Sequence, residues 1–243
     1  MPELSAIQET VSSFVAPYYN GFDSFKFSNI RPIPVIVPID KIGTVDEVKY
    51  LEATIRTTGL NINAIVLCNP HNPLGRAYQQ DAIEAYCKFA ERWDLHLLCD
   101  EIYAQSVFRL EGDDNPPSFT SVLSPDLDSL VVNPARVHVL YSMSKDFDAS
   151  GLRIGLFVSR SNQTIIQSMA AQATFMRVSS PADILWSALL LSDIPSRPSP
   201  GDFKDINEYL ADNKAALKTA YEEVTGWLDH REPSTSKRQL ASF

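Results

Sequence analysis

Three short segments of this 243-residue chain carry residue types from which a reactive site can be built. Each follows an apolar run. After Ala64 to Leu67 comes CNPHNPLG, from Cys68 to Gly75; after Leu95 to Cys99 comes DEIY, Asp100 to Tyr103; after Val137 to Tyr141 comes SMSK, Ser142 to Lys145. Lys145 is an amine able to condense with a carbonyl, provided that nearby cations and exclusion from water lower its pKa. Asp100 is a carboxylate able to face a cationic ring. Asn72 and Tyr103 are donors for a ring oxygen. Ser142, Ser144 and Arg153 offer hydroxyls and a guanidinium for an anionic group. Each also has a plainer role. Lysines are mostly solvated, Asn-Pro pairs make turns, and an acidic pair at a strand end commonly caps a helix. The plainer roles are favoured one at a time and jointly implausible.

The surrounding pattern positions these segments. Pro34 to Ile39, Ala64 to Leu67, Leu95 to Cys99, Val137 to Tyr141 and Gly155 to Val158 read as strands. Thr44 to Glu47 fits a capping box, with a helix running to Thr57 and ended by Gly59. Gln80 to Trp93 has helical spacing, with Ile83, Tyr86, Cys87 and Ala90 on one face. Strands alternating with helices predict crossover units and a mostly parallel α/β sheet. Ligands of such sheets sit at the carboxyl ends of the strands, where all three segments fall. Residues 111–136 read as a surface excursion with a short helix. The chain after Pro181 reads as helical, with one long amphipathic helix over Phe203 to Leu228. Glu232 to Phe243 reads as a loose tail.

The net charge is −9 and the pI is about 4.9. Nucleic acid is thereby disfavoured, since phosphate backbones need a surplus of Lys and Arg. Cys68, Cys87 and Cys99 fit no zinc spacing and read as buried free thiols, so no metal is expected and the setting is expected to be reducing and cytoplasmic. No signal peptide is visible, and Ile184 to Leu191 is too short to span a bilayer, so no membrane partner is expected. No Gly-rich turn follows the first strand, which disfavours a nucleotide-binding domain.

Pyridoxal 5'-phosphate (PLP) requires this set of groups: a lysine for a Schiff base, a carboxylate for the pyridine nitrogen, donors for the ring oxygen, and hydroxyls with a cation for the phosphate. NPHNPLG, DEIY and SMSKDFDASGLRIG, together with APYYNGFD near the start, resemble the signature segments of class I/II aminotransferases of PLP fold type I. They are similar above all to 1-aminocyclopropane-1-carboxylate (ACC) synthase-like proteins. The resemblance runs from Ala16 to Leu228. It implies a three-layer α/β/α large domain over 16–200 and, over 201–243, a long helix with the start of a small domain. Residues 1–15 do not look like the family. It also implies roles. Lys145 forms the Schiff base and moves the substrate's Cα proton, Asp100 pairs with the ring nitrogen, and Asn72 and Tyr103 bond the ring oxygen. Ser142, Ser144 and Arg153 hold the phosphate. Tyr19 lies against the ring, with Tyr18 the weaker choice.

The implied function is that of an enzyme acting on an α-amino acid, by amino transfer or by ACC-synthase-like chemistry. A C–S or other β/γ-eliminating lyase is an alternative. Family members are homodimers, so a homodimer or pairing with a full-length relative is implied. Three departures from the family stand out. The chain lacks the stretch that family members carry ahead of PYY, lacks the domain that bears the substrate-carboxylate arginine, and has Asp148 where a glycine is usual. The chain therefore reads as truncated at both ends, and a non-catalytic homologue or fragment is the rival from another class.

Overall fold

The computed structural model describes residues 10–28, 30–110, 118–190 and 206–229. Six strands form one sheet: β1 (Thr10–Ala16), β2 (Ile30–Ile36), β3 (Ile62–Cys68), β4 (His96–Asp100), β5 (Val137–Ser142) and β6 (Gly155–Ser159), in the order β2-β1-β3-β4-β5-β6. All neighbours pair in parallel except β5 and β6, which pair antiparallel. The expected mostly parallel α/β sheet is the observed one. Helix α1 (Glu47–Thr58) crosses from β2 to β3, and α2 (Gln80–Arg92) from β3 to β4.

Strand alternation sorts the core. Val15, Ile65, Leu67, Leu97, Cys99, Val137 and Val139 join the α1 and α2 side chains in one cluster. Phe14, Val66 and Cys68 point to the other face and meet Phe22. The predicted apolar face of α2 is buried as expected: Ile83, Tyr86, Cys87 and Ala90 have no accessible surface. Burying a large apolar side chain contributes about 1.5–3 kcal/mol, so this face is what fixes α2 to the sheet. The three cysteines are buried free thiols, as expected.

Several expectations need correction. Residues 10–15, part of the segment 1–15 that does not look like the family, join Ala16 in β1, which pairs with β2 on one side and β3 on the other. Its run of Ser12 and Ser13 hides the strand signal, yet both serines are buried. The strand expected at 34–39 lies at 30–36, because a turn begins at Pro38, whose carbonyl takes the Lys41 N–H. Pro32 and Pro34 sit within β2, which is possible because β2 is an edge strand. The capping box does not form. Thr44 Oγ1 donates to the Lys41 carbonyl, and Glu47 turns inward. There its carboxylate accepts from the Gly43 N–H at 2.7 Å and from the Tyr78 and Tyr86 hydroxyls, each at 2.9 Å. The helix does end at Gly59, in the left-handed region at φ 63°.

Within the excursion, a 3-10 turn at Pro134–Arg136 stands for the short helix, and buried Val122 and Val132 pin the loop to the core. Residues 111–117 of that excursion, and the expected tail at 232–243, lie outside the described residues. After β5 come α3 (Met143–Asp146), α4 (Gln163–Phe175), α5 (Ser180–Leu190) and α6 (Ile206–Asp229). The sequence reading foresaw α5 and α6 and missed α4. Ile165 and Ile166 are the adjacent apolar pair that blurs its period, and α4 buries none of its residues. Among the described residues no helix is long and apolar enough to cross a membrane.

Candidate active site

Four strand ends deliver the site. β3, β4 and β5 stand in parallel register with Cys68 opposite Asp100 and Asp100 opposite Leu140. The segments that leave these strands therefore emerge side by side: the 69–75 loop, the 101–106 turns, and α3. The ladder continues past the strands, since the Asn69 N–H donates to the Asp100 carbonyl and the Glu101 N–H to the Leu140 carbonyl, each at 2.9 Å. β1 ends at Ala16, and the chain turns there through Tyr18 and Tyr19.

The 69–75 loop is held by Asn69, which has no accessible surface. Its amide accepts from the Tyr78 N–H at 3.0 Å and donates to the Thr120 carbonyl at 2.9 Å. This presents Asn72, whose Nδ2 donates to Tyr103 Oη at 3.3 Å. The two residues expected to share one ring oxygen thus touch each other. Burial raises the Tyr103 pKa, with further contributions from Cys68, Asp100 and Tyr19 and an opposing one from the Asn72 bond. Those causes place Asp100 and Tyr19 around Tyr103.

Asp100 is the most strongly perturbed acid of the rim. Burial pushes its carboxyl up to about 6. Opposing this is one hydrogen bond, from the Ile102 N–H to Oδ1 at 3.3 Å. A desolvated carboxylate with so few donors has unused acceptor capacity, which suits it to a cationic partner.

Lys145 stands on α3, one turn of helix capped by Ser142, whose Oγ accepts the Ser144 N–H at 3.1 Å. Its ammonium lies 5.7 Å from the centre of the Tyr103 ring. Lys145 is exposed. The expectation that it is held out of water is corrected: α3 is short, its buried side chains are Met143 and Asp146, and Lys145 points away from that packing.

Arg153 precedes β6, in which Gly155 is paired with Ser142, so it arrives at the same end of the sheet as Ser142 and Ser144. Its backbone is left-handed at φ 53°, and its guanidinium donates to the Ser150 carbonyl at 2.9 Å. Holding a non-glycine residue there costs about 1–2 kcal/mol. Such strain concentrates at functional positions. Asp148, in the place of the usual glycine, is also left-handed, at φ 49°, a region that Asp tolerates better than most residues.

Tyr18 and Tyr19 have different surroundings. The Tyr18 hydroxyl donates to Asp23 at 3.2 Å, and its ring packs with Phe14 and Phe22. Tyr19 is 48% exposed and free to face a ligand. A side chain at Gly21 would strike the Tyr19 ring, which accounts for the glycine of this segment.

Two polar groups of the site escaped sequence reasoning. His71 is buried, its Nδ1 has no partner among the described residues, and burial pushes its pKa down to about 4. It lines a crevice with Cys68, Asn72, Tyr18, Phe14 and Phe22. Asp146, next to Lys145, has no accessible surface and collects three hydrogen bonds. Its only sequence signal was its neighbour.

Several known proteins resemble this chain in sequence or in fold. The "Probable aminotransferase sirI" of Leptosphaeria maculans is 37% identical over 181 residues, covering 72% of this chain and 42% of that protein. The "1-aminocyclopropane-1-carboxylate synthase 1" of Cucurbita pepo is 29% identical over 222 residues, covering 88% of this chain and 41% of that protein. The PLP-bound putative aminotransferase from Clostridium difficile 630 superposes with a TM-score of 0.69 at 15% identity, over 93% of this chain and 52% of that one. The chain thus spans about half the length of the relatives it matches. The model of the family described as aminotransferase class I and II matches residues 16–234, nearly all of the described sheet and helices, so the chain belongs to the class I and II aminotransferase family.

Proposed function

We propose that this chain forms the cofactor-binding core of a PLP-dependent enzyme acting on an α-amino acid. The observation that carries the reading is the meeting of three strand ends: Asn72 bonded to Tyr103, with the Lys145 ammonium over the Tyr103 ring. The residues fit the cofactor. Asp100 is a desolvated carboxylate with no ion pair among the described residues, and burial raises its pKa to about 6. In this reading Lys145 bonds the cofactor aldehyde and Asp100 holds the proton on the ring nitrogen. Asn72 and Tyr103 donate to the ring oxygen, Tyr19 covers the ring face, and Ser142, Ser144 and Arg153 hold the phosphate. When bound, PLP supplies an electron sink that acidifies the substrate's Cα–H. Once the substrate's amino group displaces it from the aldehyde, the freed Lys145 amine would take and return that proton, and its exposed position leaves it free to reach a ligand at the rim.

Amino transfer stands first among the reactions, because the relative at 37% identity is named an aminotransferase and the ACC synthase stands at 29%. Elimination of a β or γ substituent begins with the same proton and is the second reading. The three buried free thiols support a reducing, cytoplasmic setting.

The test is an absorbance spectrum of the purified chain with added PLP, then borohydride reduction and a peptide map. Lys145→Ala serves as the control. A visible band trapped on Lys145 and absent from the variant is expected. No band, or label scattered over other lysines, would overturn the reading in favour of a non-catalytic homologue. With the band in hand, a keto acid product from added amino acids would mark transfer, and release of a leaving group would mark elimination.

A further inference from the structure

Asp146 is a polar group of the rim to which the functional reading gives no role. It follows Lys145 in α3 and is fully buried. Its Oδ2 accepts from the Gln105 N–H at 3.0 Å and from the Tyr141 hydroxyl at 2.9 Å, and its Oδ1 accepts from the Ser106 hydroxyl at 2.6 Å. Its own carbonyl accepts from Asn213 Nδ2 at 3.1 Å. Burial raises its pKa; Ser106, Gln105, Tyr141 and the Lys214 charge act the other way. Four elements therefore meet on one residue: β5 through Tyr141, the turns after β4 through Gln105 and Ser106, α3 itself, and α6 through Asn213.

The consequence concerns Lys145 and Tyr103. The Ser106 N–H donates to the Tyr103 carbonyl at 2.9 Å, so the turn gripped by Asp146 is the turn that carries Tyr103. On the other side of the grip is the one-turn helix that carries Lys145. A helix of one turn has almost no stability of its own, so its place depends on such anchors. We propose that Asp146 is a positioning residue whose buried carboxylate sets Lys145 over the Tyr103 ring. The proposal rests on Lys145 being the cofactor lysine.

The chemistry of the grip separates two substitutions. In Asp146→Asn the amide oxygen can take the place of Oδ2, keeping the Gln105 and Tyr141 bonds. The amide NH2 then donates to Ser106, whose hydroxyl can accept as well as donate. In Asp146→Ala all three bonds are lost. A displacement of about 1 Å at a reacting group can cost about 100-fold.

The experiment titrates PLP into the full chain and its variants. It reads the apparent affinity, the fraction trapped on Lys145 by borohydride, and the pH midpoint of the visible band. That midpoint reports the surroundings of the Lys145 nitrogen, which a purely structural loss elsewhere would not move. Asp146→Ala is expected to lose about 10-fold or more in affinity and to shift the midpoint, with Asp146→Asn within about 3-fold of the parent. Where Asp146→Ala does not fold, Ser106→Ala/Tyr141→Phe replaces it; this double variant keeps the carboxylate but removes two of its donors, and a smaller change in the same direction is expected. A parent chain that binds PLP on Lys145, beside variants with unchanged affinity and midpoint, overturns the positioning role alone. Equal damage from Asn and Ala overturns it too. A parent chain with no band overturns the functional reading and this inference with it.

Discussion

Replacing Asp100 by Asn should make the cofactor-free protein more stable while removing a group that its proposed chemistry needs. In the fold, burial raises the carboxyl to about 6 from an ordinary 3.8. Between those values the folded state binds the proton more tightly than the unfolded chain. Stability from this group is therefore fully present below pH 3.8 and is lost as pH rises through 6. The difference of about 2 units is worth about 3 kcal/mol at neutral pH. Asn is neutral at every pH and its carbonyl can still accept from Ile102, so it escapes the penalty without losing the one hydrogen bond. Urea unfolding without cofactor should show Asp100→Asn about 2–3 kcal/mol more stable than the parent at pH 7, with the gap shrinking to about 1 kcal/mol at pH 4.5. A variant that is no more stable at pH 7, or whose advantage does not fall with pH, refutes the claim that desolvation dominates at this carboxylate. A cation placed against Asp100 would cancel the same penalty, so in the proposed function cofactor binding would draw part of its free energy from relieving it.

Two further tests probe groups away from the reacting atoms. Glu47→Ala leaves the Tyr78 and Tyr86 hydroxyls and the Gly43 N–H buried without an acceptor, and should cost about 3–5 kcal/mol in urea unfolding. A loss under about 1 kcal/mol would show that these groups find other partners. His138 is 1% exposed, lies 2.9 Å from His96 Nδ1 and stacks on Phe157, and burial with His96 beside it pushes its pKa down to about 4. Here the unfolded chain binds the proton first, so stability is lost as pH falls from about 6.5 towards 4. Arg136 reinforces the same direction at His96, and Asp94 opposes it. His138→Phe should reduce the stability loss between pH 7 and pH 5 by about 2 kcal/mol, and an unchanged loss would contradict the assignment.

The sequence showed the site more clearly than it showed the scaffold around it. The segments NPHNPLG, DEIY and SMSK are recognisable because their chemistry is local: each is a short polar stretch after an apolar run, and strand ends bring such stretches together. α2 was legible for a similar reason, since Ile83, Tyr86, Cys87 and Ala90 repeat at helical spacing and are all buried. What stayed hidden depends on distant partners. Nothing within residues 10–16 marks them as a strand until β2 and β3 are in place on either side. Glu47 looked like a surface cap because a glutamate is seldom buried. Two tyrosines from 31 and 39 residues away make its burial possible.

Asp146 shows the same limit at the site itself. Read locally, an acid beside Lys145 suggests a solvated ion pair. The fold instead turns the two side chains apart: the lysine to the open rim, the acid into a pocket of donors from Gln105, Ser106 and Tyr141. Adjacent residues on one helical turn point about 100° apart, so a single turn can present one group to a ligand and anchor itself with the next. That arrangement resolves an apparent conflict in the proposed function. The bonding amine has to be accessible and mobile enough to accept and return a proton, yet its base has to be fixed. Exposure of Lys145 supplies the first requirement, and the buried carboxylate of Asp146 supplies the second.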